Sequence, residues 1–148
     1  MTAHLEPTQS AGRALMMRAI EGEVVMLNLL RFREVADYAA DPELAPVATI
    51  SGAAAYDRYI AHTLPFLRDS GGEVVFLGAG GPVLIGPDGE QWDRVLLVRQ
   101  RSVQAFMAFA ANAAYLKGLG HRTAAVADSR LLPLTQLPLP GAGAAIPG

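Results

Sequence analysis

Apolar positions concentrate most densely in the stretch Val24-Val25-Met26-Leu27-Asn28-Leu29-Leu30-Arg31-Phe32. As a β-strand it sends Val24, Met26, Asn28, Leu30 and Phe32 to one face, and Val25, Leu27, Leu29 and Arg31 to the other. Both rows are apolar, so the strand has to be covered on both sides, with one amide set in the middle of a row. Ahead of it, Pro7 to Ile20 has helical character, with proline tolerated in the first turn and Gly22 as the stop. Behind it, Arg33 to Ile50 loses all periodicity and carries Pro42 and Pro46, which marks a long loop.

Ser51 is a plausible N-cap for a helix to about Asp69, with Tyr56, Tyr59, Ile60, Thr63 and Leu67 on one side, a kink expected at Pro65, and Gly71-Gly72 as the stop. Glu73 to Leu77 alternates as a second strand. The segment Gly78-Ala79-Gly80-Gly81-Pro82 reads as a break, after which Val83 to Ile85 extends the strand. Pro87-Asp88-Gly89 turns the chain into a third strand, Gln91 to Gln100. Ser102 caps a second helix with Val103, Phe106, Met107 and Ala110 facing inward. Beyond Tyr115, Gly118 and Gly120, a short helical turn from His121 to Ala127 precedes a last strand over Arg130 to Leu137, which Pro133 demotes to an edge.

The resulting order is β-α-β-β-α-β after a leading helix. Two split βαβ units of this kind give an α+β, ferredoxin-like fold: a four-stranded antiparallel sheet with both helices on one face. The bare apolar face that remains predicts a homodimer packed sheet to sheet. The expected organisation is an N-terminal helical extension over 1–21, the ferredoxin-like domain over 22–137, and a tail rich in Pro, Gly and Ala over 138–148.

Composition narrows the function more than it names it. The 148 residues suit one domain, and 51% hydrophobic with 18% charged residues describes a packed chain. A formal net charge of −2 with scattered Lys and Arg leaves no footprint for nucleic acid. The absence of cysteine removes disulfides, thiolate nucleophiles and Cys-ligated zinc. Met1 to Gln9 has no apolar run to serve as a secretory signal, and the prolines of Leu131 to Gly148 exclude a spanning helix there, so a cytoplasmic protein without membrane partners is expected.

Asn28 is the sharpest candidate for chemistry, because a buried amide without partners costs about 1 to 3 kcal/mol. It is either a satisfied core amide or a ligand-facing donor and acceptor. Trp92 and Asp93 fall on opposite faces of a regular third strand; Trp92 is a core anchor or a ligand platform, and Asp93, as a carboxylate in apolar surroundings, is a candidate catalytic base. Tyr56, Tyr59 and Tyr115 come from the two helices over one sheet face and can converge, with His62 one turn beyond Tyr59. His121 and Arg122 sit at a glycine-flanked turn where a cation can meet an anionic group.

His4, His62 and His121 have no metal-binding spacing, and no metal or other cofactor is expected. The segment Gly78 to Pro82 fails as a nucleotide loop because Val83 replaces the third glycine and a strand follows. No serine sits in a nucleophile elbow.

Taken together, Met26-Leu27-Asn28-Leu29-Leu30, Tyr56-x-x-Tyr59, Gly71-Gly72, Gln91-Trp92-Asp93, and Tyr115 followed by Arg122 and Asp128-Ser129-Arg130 carry a resemblance. From about Val24 to Leu137 the chain resembles the domain-of-unknown-function family numbered thirteen-thirty, of the dimeric α+β-barrel superfamily. The resemblance implies a ferredoxin-like subunit in a barrel-forming homodimer. The superfamily includes cofactor-independent monooxygenases, haem-degrading enzymes, lactone isomerases and binding proteins. Its haem-degrading members use an asparagine, a tryptophan and a histidine; Asn28 and Trp92 are present here, but no histidine sits at the matching helix position.

The expected function is therefore a homodimer binding a small, partly apolar organic molecule between sheet and helices through Asn28, Tyr56, Tyr59, His62, Trp92, Tyr115 and Arg122. The alternatives are a cofactor-independent monooxygenase or isomerase using Asp93, and a structural or interaction protein whose polar residues only satisfy the core.

Overall fold

A computed structural model describes residues 3 to 141, so part of the expected tail lies outside the described residues. Its strands are β1 (Val24–Phe32), β2 (Glu73–Pro82), β3 (Gln91–Gln100) and β4 (Val126–Leu134), and its helices are α1 (Gln9–Met17), α2 (Gly52–Asp69), α3 (Val103–Ala110), α4 (Ala113–Leu116) and α5 (Leu119–Ala125). The sheet order is β2-β3-β1-β4 with every pairing antiparallel, which is the ferredoxin-like arrangement expected from the element order. The doubly apolar strand β1 sits between β3 and β4, where central burial suits it.

The main helices begin where their capping chemistry predicts. The hydroxyls of Ser51 and Ser102 accept from the N–H groups of Ala54 and Ala105, satisfying one orphan donor of each first turn. α2 runs on through Pro65, and α1 is shorter at both ends than Pro7 to Ile20, with Thr8 as its cap. The stretch from Arg33 to Ile50 contains one 3₁₀ turn at Pro42–Leu44 and an isolated bridge between Val35 and Ser51.

Two expectations at the strand ends are corrected. β2 does not break at its glycines: Gly78 pairs with Val95 and Gly81 with Trp92, the strand ends at Pro82, and Val83 to Ile85 lie outside it. A Cβ at Gly78 would meet the Phe76 ring 2.7 Å away, so the missing side chain is what lets that ring lie over the strand. β4 starts at Val126 and ends at Leu134, earlier than the expected Arg130 to Leu137, because the residues read as a helical turn to Ala127 end their helix at Ala125.

The helix-facing row of β1 joins two apolar clusters. In the larger, Leu30, Leu96 and Val126 of the sheet meet Ala55, Tyr56, Tyr59, Tyr115 and Ala125. In the smaller, Val24 and Met26 meet Val103, with Leu15, Ile20 and Phe106 packed against them. The opposite sheet face is a second apolar surface with no helix among the described residues packed on it. There Leu27 stands between Leu97 and Leu132, Leu97 is opposite Phe76, and Leu29 stands between Val95 and Arg130. Phe76 and Leu132 are about half exposed, at 52% and 51%.

Candidate functional site

Asn28 shares its face with Val24, Met26 and Leu30, which places it under the helices and away from the open sheet face. It stands between Met26 of the smaller cluster and Leu30 of the larger, at the seam where the two meet. Its neighbours across the strands are Leu96, fully packed, and Leu131, 43% exposed. The amide is half-buried and donates from Nδ2 to the Met26 carbonyl at 3.2 Å, within its own strand. No other hydrogen bond of its side chain is formed among the described residues.

Within the larger cluster the tyrosines converge. The rings of Tyr56 and Tyr59 are 5.3 Å apart and those of Tyr59 and Tyr115 6.1 Å, and the Tyr59 and Tyr115 hydroxyls share a 2.7 Å hydrogen bond. Leu96, opposite Asn28, belongs to this same cluster. Burial, then the neighbouring Tyr59, holds Tyr56 well above its ordinary value against the opposing pull of Arg122 and Arg94, and the same two causes raise Tyr115. Neutral phenols of this kind offer hydrogen bonds and are unsuited to act as phenolate bases at ordinary pH. One hydrogen bond between two hydroxyls consumes one O–H proton, so the other has no protein acceptor among the described residues.

His62 flanks the cluster and donates from Nε2 to the carbonyls of Ala114 (2.9 Å) and Tyr115 (3.1 Å), tying α2 to α4. Arg122 reaches the Leu5 carbonyl (2.8 Å) and Ser129 Oγ (3.3 Å), and Ser129 in turn bonds the His4 carbonyl through both Oγ (2.6 Å) and its N–H (3.0 Å). The arginine thus clamps the N-terminal segment along the outer edge of β4. His121 Nδ1 meets the Tyr38 hydroxyl at 2.8 Å; burial, then Arg58 and His62, lower its affinity for a proton despite Asp41.

Trp92 and Asp93 are not brought to the tyrosines. Asp93 Oδ2 accepts from the Phe32 N–H at 2.7 Å, which engages the carboxylate at the end of β1. The Arg130 guanidinium lies over the Trp92 ring at 5.1 Å and donates to Asp128 Oδ1 and the Ser129 carbonyl, both at 2.8 Å. Arg94, which the sequence reading passed over, ion-pairs with Asp57 at 2.7 Å and stacks over Phe32 (4.9 Å) and Tyr56 (5.8 Å). An arginine on the same strand face as Leu96 was the available signal. Among the described residues no three His, Asp or Glu side chains are grouped to hold a metal ion, and no helix is long and apolar enough to cross a membrane.

A family model described as a domain of unknown function, DUF1330, matches residues 44–133. The crystal structure of methylated RPA0582 protein is 38% identical, covers 95% of this chain and 99% of its own, and superposes with a TM-score of 0.79. A second structure, of RPA0582 as a protein of unknown function from Rhodopseudomonas palustris, is 37% identical over 92% of this chain and 98% of its own, with a TM-score of 0.78. A dimeric protein of unknown function with a ferredoxin-like fold from Bacteroides fragilis is 9% identical, covers 76% of this chain and 94% of its own, and has a TM-score of 0.46. No curated protein matches.

Proposed function

The chain belongs to the DUF1330 family, and from the geometry of its sheet we propose that it works as a homodimer, each subunit of which binds a small, partly apolar organic molecule on the helix side. The observation that carries the ligand reading is the pairing of an unspent donor with an uncommitted amide. The Tyr59–Tyr115 pair keeps one O–H proton without a protein acceptor among the described residues, and the Asn28 carboxamide, on the same sheet face and opposite Leu96 of the tyrosine cluster, makes a single bond to its own strand. Buried polar groups in native proteins are nearly always satisfied, so groups left open beside apolar packing are where a ligand or ordered water completes the network. A carbonyl on the ligand suits the tyrosine proton, and its apolar part suits the surroundings of Leu30, Leu96 and Tyr56.

The dimer reading rests on the open face, where Leu27, Leu29, Val95, Leu97, Phe76 and Leu132 form a contiguous apolar surface that a second copy covers by symmetry.

A thermal-shift screen of small carbonyl-containing metabolites tests the ligand reading. A true ligand present at about 100 times its Kd adds about 2.7 kcal/mol to stability, and Tyr115→Phe and Asn28→Leu each reduce that gain. If no compound raises the melting temperature, or both variants retain the full gain, the helix-side site is wrong.

A further inference from the structure

We propose a second site, for a small organic carboxylate, in the concavity where β1 ends and β4 begins. The hollow has a volume of about 380 Å³ and is lined by Ala3, Arg31, Phe32, Arg33, Glu34, Ala127 and Asp128. It lies at the last residues of β1 and the first of β4, away from the Asn28 seam, and does not depend on the helix-side ligand.

Arg33 carries the argument. Its guanidinium makes no hydrogen bond among the described residues: Nε is buried without a partner, and the terminal N–H groups are left to meet one from the hollow. A buried guanidinium N–H left open is costly, and Arg side chains are planar forks suited to carboxylates. Its backbone is pinned on both sides, the N–H donating to the Ala125 carbonyl at 2.8 Å and the carbonyl accepting from Gly52 N–H at 3.1 Å. The side chain therefore springs from a fixed point, and a partner can be held without reordering the main chain. Arg31 adds a second cation, and neither arginine is in an ion pair among the described residues.

The surrounding charges select the class of anion. Glu34 and Asp128 share the lining, and Asp128 Oδ1 is already engaged by the N–H groups of His4 and Ser129 and by Arg130. Arg130, outside the lining, already neutralises Asp128, so Arg31 and Arg33 are opposed within the hollow by Glu34 alone, which leaves room for one negative charge and opposes a dianion such as phosphate. Phe32, Ala3 and Ala127 supply apolar wall for a hydrocarbon tail, and the volume matches a ligand of ring size.

Benzoate is the probe, titrated into the full chain while the Arg33 Nε–H resonance is followed by ¹H–¹⁵N NMR. The expected result is a saturable shift of that resonance with a Kd of about 1 mM or tighter, no saturable shift with benzamide or inorganic phosphate, and an affinity about tenfold weaker in Arg33→Lys. Arg31→Gln provides an independent variant should Arg33→Lys not fold, and is expected to weaken binding as well. An unmoved Arg33 resonance, an equal response to benzamide or phosphate, or unchanged affinity in the folded variants overturns the proposal.

Discussion

A single absent side chain holds α2 against the end of β1. A Cβ at Gly52 would come within 2.7 Å of the Ala125 carbonyl oxygen and would collide with that of Arg33, both of them backbone atoms that cannot step aside. Gly52→Ala is expected to cost about 2 to 4 kcal/mol, measured as a lower denaturation midpoint at unchanged slope. The tyrosines set a different residue-level expectation. Tyr56 and Tyr115 are raised in the folded chain above their ordinary value of 10.0, so their contribution is intact below that value and is lost as the pH climbs above it, where the unfolded chain ionises first. Urea midpoints should therefore hold up to about pH 9 and fall above about pH 10, and fall less steeply in Tyr115→Phe. That variant also strands the Tyr59 hydroxyl, at a cost of about 1 kcal/mol near neutral pH. That Tyr56 and Tyr59 share a face was legible from the 3.6-residue period of α2, which Tyr115 meets from the separate short helix α4, and the placement of Asn28 followed once Met26 and Leu30 were seen to be buried. The contact between Arg130 and Trp92 was not legible: parity describes one strand at a time, whereas this contact joins strands separated by β1.

At the scale of elements, the N-terminal segment stands in for a missing neighbour of β4. His4 bonds Ser129 twice and its N–H reaches Asp128 Oδ1 at 2.8 Å, while Arg122 holds the Leu5 carbonyl. An edge strand left open invites pairing with other chains. Removing residues 1–5 is expected to lower stability by about 1 to 3 kcal/mol and to raise aggregation on heating; unchanged stability and unchanged turbidity would show that the segment does not seal the edge. No local pattern announces this segment, because its partners lie more than a hundred positions away, at sequence separations of 124 and 125. The misjudged ends of β2 and β4 have a related cause. Glycine and proline punctuate a chain considered alone, yet pairing with β3 carries β2 through Gly78, Gly80 and Gly81, and pairing with β1 carries β4 through Pro133.

For the whole molecule the open sheet face is where the proposed homodimer can be tested. The element order alone made the ferredoxin-like sheet legible, since β-α-β-β-α-β leaves few other right-handed, uncrossed solutions. Leu29→Asp places a charge in the middle of that face, beside Val95 and Arg130. The expected outcome in multi-angle light scattering is twice the monomer mass for the parent chain and the monomer mass for the variant, with its far-ultraviolet circular dichroism retained. A monomeric parent chain would remove the dimer.

The clamp between His4 and Ser129 also orders events in time. During synthesis His4 emerges long before its partners, and β1 appears before either of the strands that flank it, β3 and β4. The nascent chain must therefore carry an unpaired central strand until β3 is complete, and an unsealed arm until residue 129 has left the ribosome. Contacts of such long range are slow to close and leave apolar strands exposed meanwhile. Ribosome-bound chains halted before β4 should accordingly be the most aggregation-prone stage of this protein's life.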